Sequence, residues 1–341
     1  MKTHAIIPIF ISHRGCPNDC VFCNQKKITA REGDVAPEDV RDTIEQWLTT
    51  LDDMETVEVS FYGGSFTGLP MEQQTEFLKI AKEYKDSGKV DAIHLSTRPD
   101  YISVPILDNL KKYSVDVIEL GVQSFSDDVL RASGRGHDSS CVYKACDLIK
   151  SYGFTLGIQL MIGLPGDSPD TCTMSALETV KIGPSIARLY PTVTIGDTEL
   201  YHMMERGEYK PLSLEESVRR TKVMYEILSE AGINIIRVGL KASEIMEDQI
   251  GFHPAFRQLV ESEIAQDVIE EQLAQLNAEI PDDSAMIQVT VLANSHSFGN
   301  IYGHKGSNRD YFSKKYPHLI IKGAADDSLD DNCYVVTLPK K

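Results

Sequence analysis

The stretch AIIPIFISHRGCPNDCVFCNQKK, residues 5–27, joins an apolar run to three closely spaced cysteines, Cys16, Cys20 and Cys23. The apolar run predicts a buried strand, and because no small-residue cleavage site follows it, we do not interpret it as a signal peptide. A structural zinc site uses four protein ligands, whereas iron–sulfur clusters are commonly held by thiolates. If the three cysteines hold a [4Fe–4S] cluster, one iron has no protein ligand and stays open to another molecule.

Zinc is the alternative occupant of this loop. With His13 as the fourth ligand, the loop would be a structural clamp in an interaction protein. The other four cysteines are scattered, and Cys141 and Cys146 stand in a helical pattern that predicts core packing. Clustered cysteines without a signal peptide predict a cytoplasmic protein, where thiols stay reduced.

Strand-like and helix-like segments alternate along most of the chain. Seven apolar runs predict strands: AIIPIFI, TVEVSFY, AIHLS, VIELGVQS, LGIQLMIG, ARLYPTVTI and INIIRVGL. Six helical patterns separate them, and three of these end in a glycine suited to a C-cap, namely Gly88, Gly153 and Gly232. Such a series predicts an α/β fold with a parallel sheet, as a complete or partial (β/α) barrel. An open doubly wound sheet is the alternative.

The regular alternation of predicted strands and helices ends near residue 245. Residues 253–280 have the pattern of one long amphipathic helix, and AMIQVTVLA, LIIKG and CYVVTL then predict strands. The predicted organisation is therefore a barrel over residues 1–245 and a small α+β extension over residues 246–341.

Glycine-rich and polar segments follow four of the predicted strands. They are GGSFTG (63–68), STRPD (96–100), GVQSFS (121–126) and GLPGDS (163–168). The carboxyl ends of parallel strands form the active face of α/β barrels. We therefore expect these segments and the cysteine loop to share one rim.

The composition is that of an ordinary globular protein, with 42% hydrophobic and 25% charged residues in 341. No apolar run approaches membrane-spanning length. Fifty-one Asp and Glu against 34 Lys and Arg give a net charge of −17, which repels polyanions at long range. One basic stretch interrupts this acidity, with Lys305, Arg309, Lys314, Lys315 and Lys322, and we interpret it as a solvated helix face.

The cysteine spacing after a first strand, the aromatic Phe22 before the last cysteine and the glycine pair after the second strand resemble the radical S-adenosylmethionine superfamily. The resemblance implies that Cys16, Cys20 and Cys23 hold a [4Fe–4S] cluster. Its unique iron would bind the amino and carboxylate groups of S-adenosylmethionine. One electron would then cleave the sulfonium, and the 5′-deoxyadenosyl radical would take a hydrogen atom from a substrate. A reducing partner such as flavodoxin or ferredoxin is implied as well.

The resemblance also implies contacts to S-adenosylmethionine. Gly63, Gly64 and Ser65, after the second strand, would bind the amino group. Gln123 and Ser124, after the fourth strand, would contact the ribose, and Arg135 would bind the carboxylate. The backbone from Gly163, after the fifth strand, would pair with the adenine. Ser96 stands where related enzymes often carry a glutamate. Arg98 is expected either to pair with Asp100 or to approach the substrate, and His137 to serve as a turn or helix-cap residue.

Longer segments narrow the resemblance. Residues 119–138, 159–170, 189–213 and 233–243 resemble the radical domain of the Elongator catalytic subunit family, which acts on wobble uridine in tRNA using acetyl-coenzyme A and a second, acetyltransferase domain. This sequence has the compact cysteine spacing, is expected to lack both the acetyltransferase domain and the basic tRNA-binding extension, and so resembles a short bacterial relative. Radical initiation carries over from the family. The substrate does not, so an RNA base and a small molecule such as a porphyrinogen are both left open.

Two polar residues after the sixth predicted strand allow a catalytic interpretation. Glu199 and Tyr201 could exchange protons with a substrate, but TELY also has the pattern of an N-capped helix start. We favour the helix start.

Overall fold

The computed structural model describes residues 3–11, 20–24, 35–241, 248–278 and 286–338. It divides into two compact units, Met1–Pro254 and Ala255–Lys341. The predicted boundary between independent domains after residue 245 stays a prediction.

The first unit is built on one sheet of seven strands. They are β1 (His4–Phe10), β2 (Thr56–Tyr62), β3 (Ala92–Thr97), β4 (Val117–Gln123), β5 (Thr155–Ile162), β6 (Ile186–Pro191) and β7 (Asn234–Val238). Every neighbouring pair is parallel, in the order of the chain. All seven predicted strands are present. The sixth stops at Pro191, and Thr194 beyond it makes an isolated antiparallel bridge with Ile250.

In the described part of the first unit, eight helices accompany the strands. They are α1 (Pro37–Leu48), α2 (Met71–Asp86), α3 (Val104–Lys112), α4 (Asp127–Ala132), α5 (Ser139–Ser151), α6 (Pro169–Ile182), α7 (Glu199–Glu205) and α8 (Leu214–Glu230). Side-chain oxygens cap several helix starts; Thr198, for example, accepts a hydrogen bond from the Tyr201 N–H and so begins α7. The helix-start interpretation of this segment is therefore confirmed. Gly88, Gly153 and Gly232 have φ angles of 72°, 75° and 74°, as expected of C-terminal glycines.

The sheet is curled into a partial barrel. Arg188 on β6 donates a hydrogen bond of 2.9 Å to the hydroxyl of Tyr62 on β2, although three strands lie between them. In a flat sheet the four intervals of about 4.8 Å would hold these strands about 19 Å apart. Among the described strands, no pairing joins β7 to β1. Since doubly wound sheets reverse their strand order, the sequential order also excludes that alternative and confirms the predicted partial (β/α) barrel.

Alternate residues of the barrel strands face opposite sides. On β2, Val57, Val59 and Phe61 are buried on one face, while Tyr62 points to the face of the cross-barrel contact. The concave interior therefore receives the polar residues of the strands, and the convex face is aliphatic and aromatic.

The second unit is a small α+β structure, as the sequence predicted. Its elements are α9 (Phe256–Ala278), β8 (Ile287–Ala293), α10 (Phe298–Tyr302), α11 (Ser307–Lys315), β9 (Leu319–Ala325) and β10 (Val335–Thr337). Central β8 pairs parallel with β9 and antiparallel with β10. In the basic stretch, Lys315 contacts Glu270 and Arg309 contacts Asp310 at 3.2 Å, which balances part of its charge locally. No helix in the described ranges is long and apolar enough to span a bilayer.

Candidate active site

The described part of the cysteine loop, residues 20–24, is joined to segments after the barrel strands by backbone hydrogen bonds. The Val21 N–H donates to the Ser133 carbonyl at 3.1 Å, and the Leu200 N–H donates to the Val21 carbonyl at 2.7 Å. The described residues contain no group of three His, Cys, Asp or Glu side chains arranged to hold a metal ion. Cys16, the third predicted ligand, lies outside the described residues, as does His13 of the zinc alternative.

Two buried arginines approach the sulfur of Cys20. Arg135 Nη1 lies 3.4 Å from Cys20 Sγ, and Arg98 Nη1 lies 3.8 Å from the same atom. The exposed fractions of Cys20, Arg98 and Arg135 are only 5%, 3% and 5%. Ligand sulfurs of iron–sulfur clusters accept hydrogen bonds from nearby N–H groups. The buried sulfur of Cys20, with two guanidinium nitrogens facing it, therefore fits a ligand sulfur.

Arg98 makes a forked contact with Asp100 as well. Its Nε and Nη2 lie 2.9 and 3.0 Å from the two carboxylate oxygens of Asp100, and Nη2 also donates to the Arg135 carbonyl. Of the two expectations for Arg98, pairing with Asp100 is thus confirmed. Its approach to Cys20 was not foreseen, because the two residues are 78 positions apart and no local pattern connects them.

One guanidinium nitrogen of Arg135, Nε, is buried without a hydrogen-bond partner among the described residues. Nη1 faces Cys20, and Nη2 donates to the Gly121 carbonyl. An unpaired buried N–H on a permanent cation fits an anionic acceptor. The predicted carboxylate contact of Arg135 stays a prediction, and the unpaired Nε is available for it.

Gln123 is turned by an irregularity in its strand. The pairing of β4 with β5 shifts register between Gly121 and Gln123, and Gln123 has a φ of 70°, which is costly for a residue with a side chain. Its side chain is buried, and Oε1 has no partner in the described part of the chain. A ribose hydroxyl would satisfy such an acceptor.

Ser124 is placed differently. Its hydroxyl accepts a hydrogen bond of 3.1 Å from the Ser126 N–H and lies 3.4 Å from the hydroxyl of Ser175. The side chain thus organises the turn into α4. Its predicted ribose contact stays a prediction.

The glycine-rich turns after β2 and β5 differ in what their backbones offer. Gly63 has a φ of 99° and leads into buried Ser65, while Gly64 is half-buried. Gly163 has a φ of 87°, its N–H donates to Asp167 at 2.7 Å, and its carbonyl accepts from the Tyr209 hydroxyl at 2.8 Å. The Gly163 N–H is thus already paired within the protein, and the predicted adenine contact stays a prediction.

A cleft of about 750 Å³ opens beside the arginines, between the segment after β3 and the start of α5. Its lining includes Asp100, Asp127, His137 and Cys141, and among the described residues none of the predicted cofactor contacts lines it. Burial, together with the charges of Arg135 and Arg98, lowers the pKa of His137 to about 4, so this ring is neutral at pH 7. His137 precedes Asp138, which caps α5, in agreement with the predicted turn role.

A polar network that the sequence did not reveal fills the barrel interior. His94 Nδ1 lies 2.7 Å from Glu58, and Nε2 lies 3.1 Å from Glu119 in a close contact not aligned as a hydrogen bond. Arg188 lies 2.7 Å from Glu119 and also donates a hydrogen bond to the hydroxyl of Tyr62. Two carboxylates and two cations therefore balance each other.

The network shifts the titration of its members. Burial alone would lower the pKa of His94, but contacts with Glu119 and Glu58 outweigh it and raise that pKa to about 9. Burial likewise acts to raise the pKa of Glu119, and His94 and Arg188 hold it below its ordinary value. All four groups are charged at neutral pH. The signal available in the sequence was polar residues at alternate positions in otherwise apolar strands, such as Glu58, Ser60 and Tyr62.

A partial barrel with residues of the cysteine loop at the carboxyl end of its strands, and with cations buried against one thiol, fits an α/β-barrel enzyme of the radical S-adenosylmethionine class. Sequence profiles agree with this class: that of the Radical SAM superfamily matches residues 10–176, and that of the Radical_SAM C-terminal domain matches residues 184–266. The chain belongs to the radical SAM superfamily, which confirms both the predicted family and the enzyme class.

The sequence is similar to curated relatives over part of their length. A tRNA uridine(34) acetyltransferase from Methanocaldococcus infernus is 28% identical over 284 residues, covering 72% of this chain and 52% of that protein. Elongator complex protein 3 from Homo sapiens is 31% identical over 203 residues, covering 53% of this chain and 37% of that protein. This chain spans about half the length of the archaeal relative.

A solved structure shows the shared fold. Elp3 from Methanocaldococcus infernus with an N-terminal deletion matches with a TM-score of 0.57 and 23% identity, covering 71% of this chain and 61% of that one. The likeness supports the partial barrel.

Proposed function

We propose that Cys16, Cys20 and Cys23 hold a [4Fe–4S] cluster and that the protein cleaves S-adenosylmethionine to begin radical chemistry on a substrate. When bound, the cluster supplies the electron for this cleavage, received from a reductant such as flavodoxin or ferredoxin. That electron would break the C5′–S bond of the sulfonium and release methionine, and the 5′-deoxyadenosyl group would take a hydrogen atom from a substrate C–H bond, with 5′-deoxyadenosine and a substrate radical as products.

The observation that carries the proposal is the placing of Cys20 against Arg98 and Arg135 in a chain of this superfamily. Two unsatisfied atoms near the same strand ends add support. Arg135 Nε needs an acceptor and Gln123 Oε1 needs a donor. S-adenosylmethionine offers a carboxylate for the first and ribose hydroxyls for the second. Arg135 and Gln123 would thus orient the cofactor.

We propose further that the substrate is a base in RNA. The support is similarity to relatives whose names give tRNA uridine as the site of action, over 72% of this chain for the archaeal protein. The net charge of −17 means that an RNA complex would need local basic groups or a helper protein. Bulk tRNA that stimulates 5′-deoxyadenosine formation would support this substrate class, whereas stimulation by the small-molecule fraction of an extract alone would contradict it.

Metal analysis tests the cluster itself. Anaerobically reconstituted protein should be brown and contain about four irons and four sulfides per chain. Cys20→Ala should lose this iron, while Cys333→Ala, which removes an exposed thiol in the second unit, should retain it. A colourless protein with one tightly bound zinc would instead support the structural clamp and overturn the proposal.

A further inference from the structure

Arg98 contacts the sulfur of Cys20 in addition to its ion-pair partner Asp100, and the ion pair alone does not require the contact with sulfur. The Arg98 side chain is held by the fork to Asp100 and by donation to the Arg135 carbonyl, and its Nη1 lies 3.8 Å from the sulfur. Arg135 approaches the same sulfur from a different segment of chain. The sulfur therefore has two N–H groups facing it.

Among the described residues, the charged side chains close to this sulfur are mainly positive. A guanidinium is always protonated in proteins, so Arg98 and Arg135 contribute two positive charges, and Asp100 is the described carboxylate that pairs with Arg98. The side chain of Asp100 is 25% exposed, whereas that of Arg98 is 4% exposed. The cation is thus buried at the sulfur, and its counter-charge lies toward the cleft, where water screens it.

We propose that Arg98 is a positioning residue that sets the reduction potential of the metal cluster on Cys20, and that Asp100 limits its effect. The inference rests on the proposed function, since it requires Cys20 to be a cluster ligand. Hydrogen bonds to ligand sulfurs and nearby positive charge are recognised determinants of iron–sulfur potentials. The cluster gains one electron from the external reductant, no proton moves, and the added negative charge is stabilised by the guanidinium.

The two members of the pair should therefore have effects of opposite sign. Removing the Arg98 charge disfavours the reduced cluster. Removing the Asp100 charge takes away a negative charge that pairs with this guanidinium and favours the reduced cluster. A residue that only holds the loop in shape would give no such reversal.

The test is a redox titration monitored by electron paramagnetic resonance, on full-length reconstituted protein without S-adenosylmethionine. In Arg98→Gln the equilibrium constant for one-electron reduction should fall about tenfold, which corresponds to a midpoint about 59 mV lower. Arg98→Lys, which keeps the charge, should lie between this variant and the wild type. Asp100→Asn should shift the midpoint upward. Arg131→Gln is the matched control, because Arg131 is 75% exposed and pairs with Asp128, and it should leave the midpoint unchanged.

The outcomes separate this inference from the proposed function. If Arg98→Gln retains wild-type iron and has the same midpoint as Arg131→Gln, the inference is overturned. If Arg98→Gln cannot hold iron, Asp100→Asn decides, and an unchanged or lowered midpoint in that variant overturns it. Wild-type protein that binds no iron at all overturns the proposed function, and this inference with it.

Discussion

Arg188 on β6 and Tyr62 on β2 are joined across the barrel interior by a hydrogen bond of 2.9 Å, and the guanidinium carbon lies 5.1 Å from the centre of the tyrosine ring. The same arginine pairs with Glu119, so one side chain links three strands. Barrel interiors are usually filled by branched apolar side chains. Here a charge-balanced network replaces part of that filling and connects strands that have no backbone pairing with each other.

Breaking this network from one side should be costly. In Glu119→Gln, His94 and Arg188 lose the carboxylate that they share, and the free energy of unfolding in urea should fall by about 3–5 kcal/mol. Glu83→Gln removes an exposed ion pair with Arg41 and should change stability only slightly. An equal, small effect in both variants would show that the buried network contributes little.

The elevated pKa of His94 predicts a pH dependence of stability. Its folded pKa is about 9 and its ordinary value 6.5, so its contribution is complete below pH 6.5 and is lost as the pH rises through 9. The free energy of unfolding should therefore fall by on the order of 3 kcal/mol between these pH values. Urea unfolding of wild type and His94→Gln measures this, because the variant should lack that part of the slope.

A control for this titration is His296→Gln, since the side chain of His296 is 70% exposed. It should keep the wild-type slope. If His94→Gln keeps it as well, His94 does not bind a proton more tightly in the folded state than in the unfolded one.

Gly157 on β5 leaves room for the network. A Cβ added there would lie 2.8 Å from Glu119 Cγ and 2.8 Å from Ile186 Cγ1, closer than carbon atoms pack. Gly157→Ala should cost about 1–3 kcal/mol of stability, measured by thermal unfolding. Gly299→Ala meets nothing within 4 Å and should be neutral or slightly stabilising. If Gly157→Ala unfolds at the wild-type temperature, the barrel interior accommodates the added methyl group without loss of stability.

Gly121 leaves room for the side chain of Gln123. An added Cβ would lie 3.0 Å from Gln123 Nε2, which is the end of a flexible side chain, so the fold should survive while the amide moves. If Gln123 binds the ribose, both Gly121→Ala and Gln123→Leu should weaken S-adenosylmethionine binding about tenfold, with unfolding midpoints close to wild type. Equilibrium dialysis under anaerobic conditions measures this. Wild-type affinity in both variants would remove Gln123 from the cofactor site.

The strands could be predicted from the sequence because each is a short apolar run between turn residues. The helix α4, of six residues, is not among the six helical patterns of the sequence, since it is too short for a periodic pattern. The interior network was missed for another reason: Glu58, His94, Glu119 and Arg188 each look like isolated exceptions in apolar strands. Which of them meet depends on the curl of the sheet, and a contact such as Tyr62 with Arg188 has no counterpart in local spacing.

The candidate site also has some features that the sequence predicted and others that it did not. Glycine permits a positive φ such as the 87° of Gly163, and the sequence predicted that a glycine-rich segment follows this strand. The partners of Gly163, Asp167 and Tyr209, were not predicted. Arg98 and Cys20 likewise come from distant segments of the chain. A sequence pattern cannot predict their contact, because it depends on how the barrel places both residues on one rim.

The release of 5′-deoxyadenosine tests most directly whether this protein cleaves S-adenosylmethionine to begin radical chemistry. Reconstituted, reduced protein supplied with S-adenosylmethionine and a cell extract should form it, as detected by mass spectrometry, and Cys20→Ala should form none while Cys333→Ala matches the wild type. Cluster-loaded wild-type protein that never releases 5′-deoxyadenosine under these conditions, or Cys20→Ala that still does, would contradict the assignment of radical chemistry to this loop.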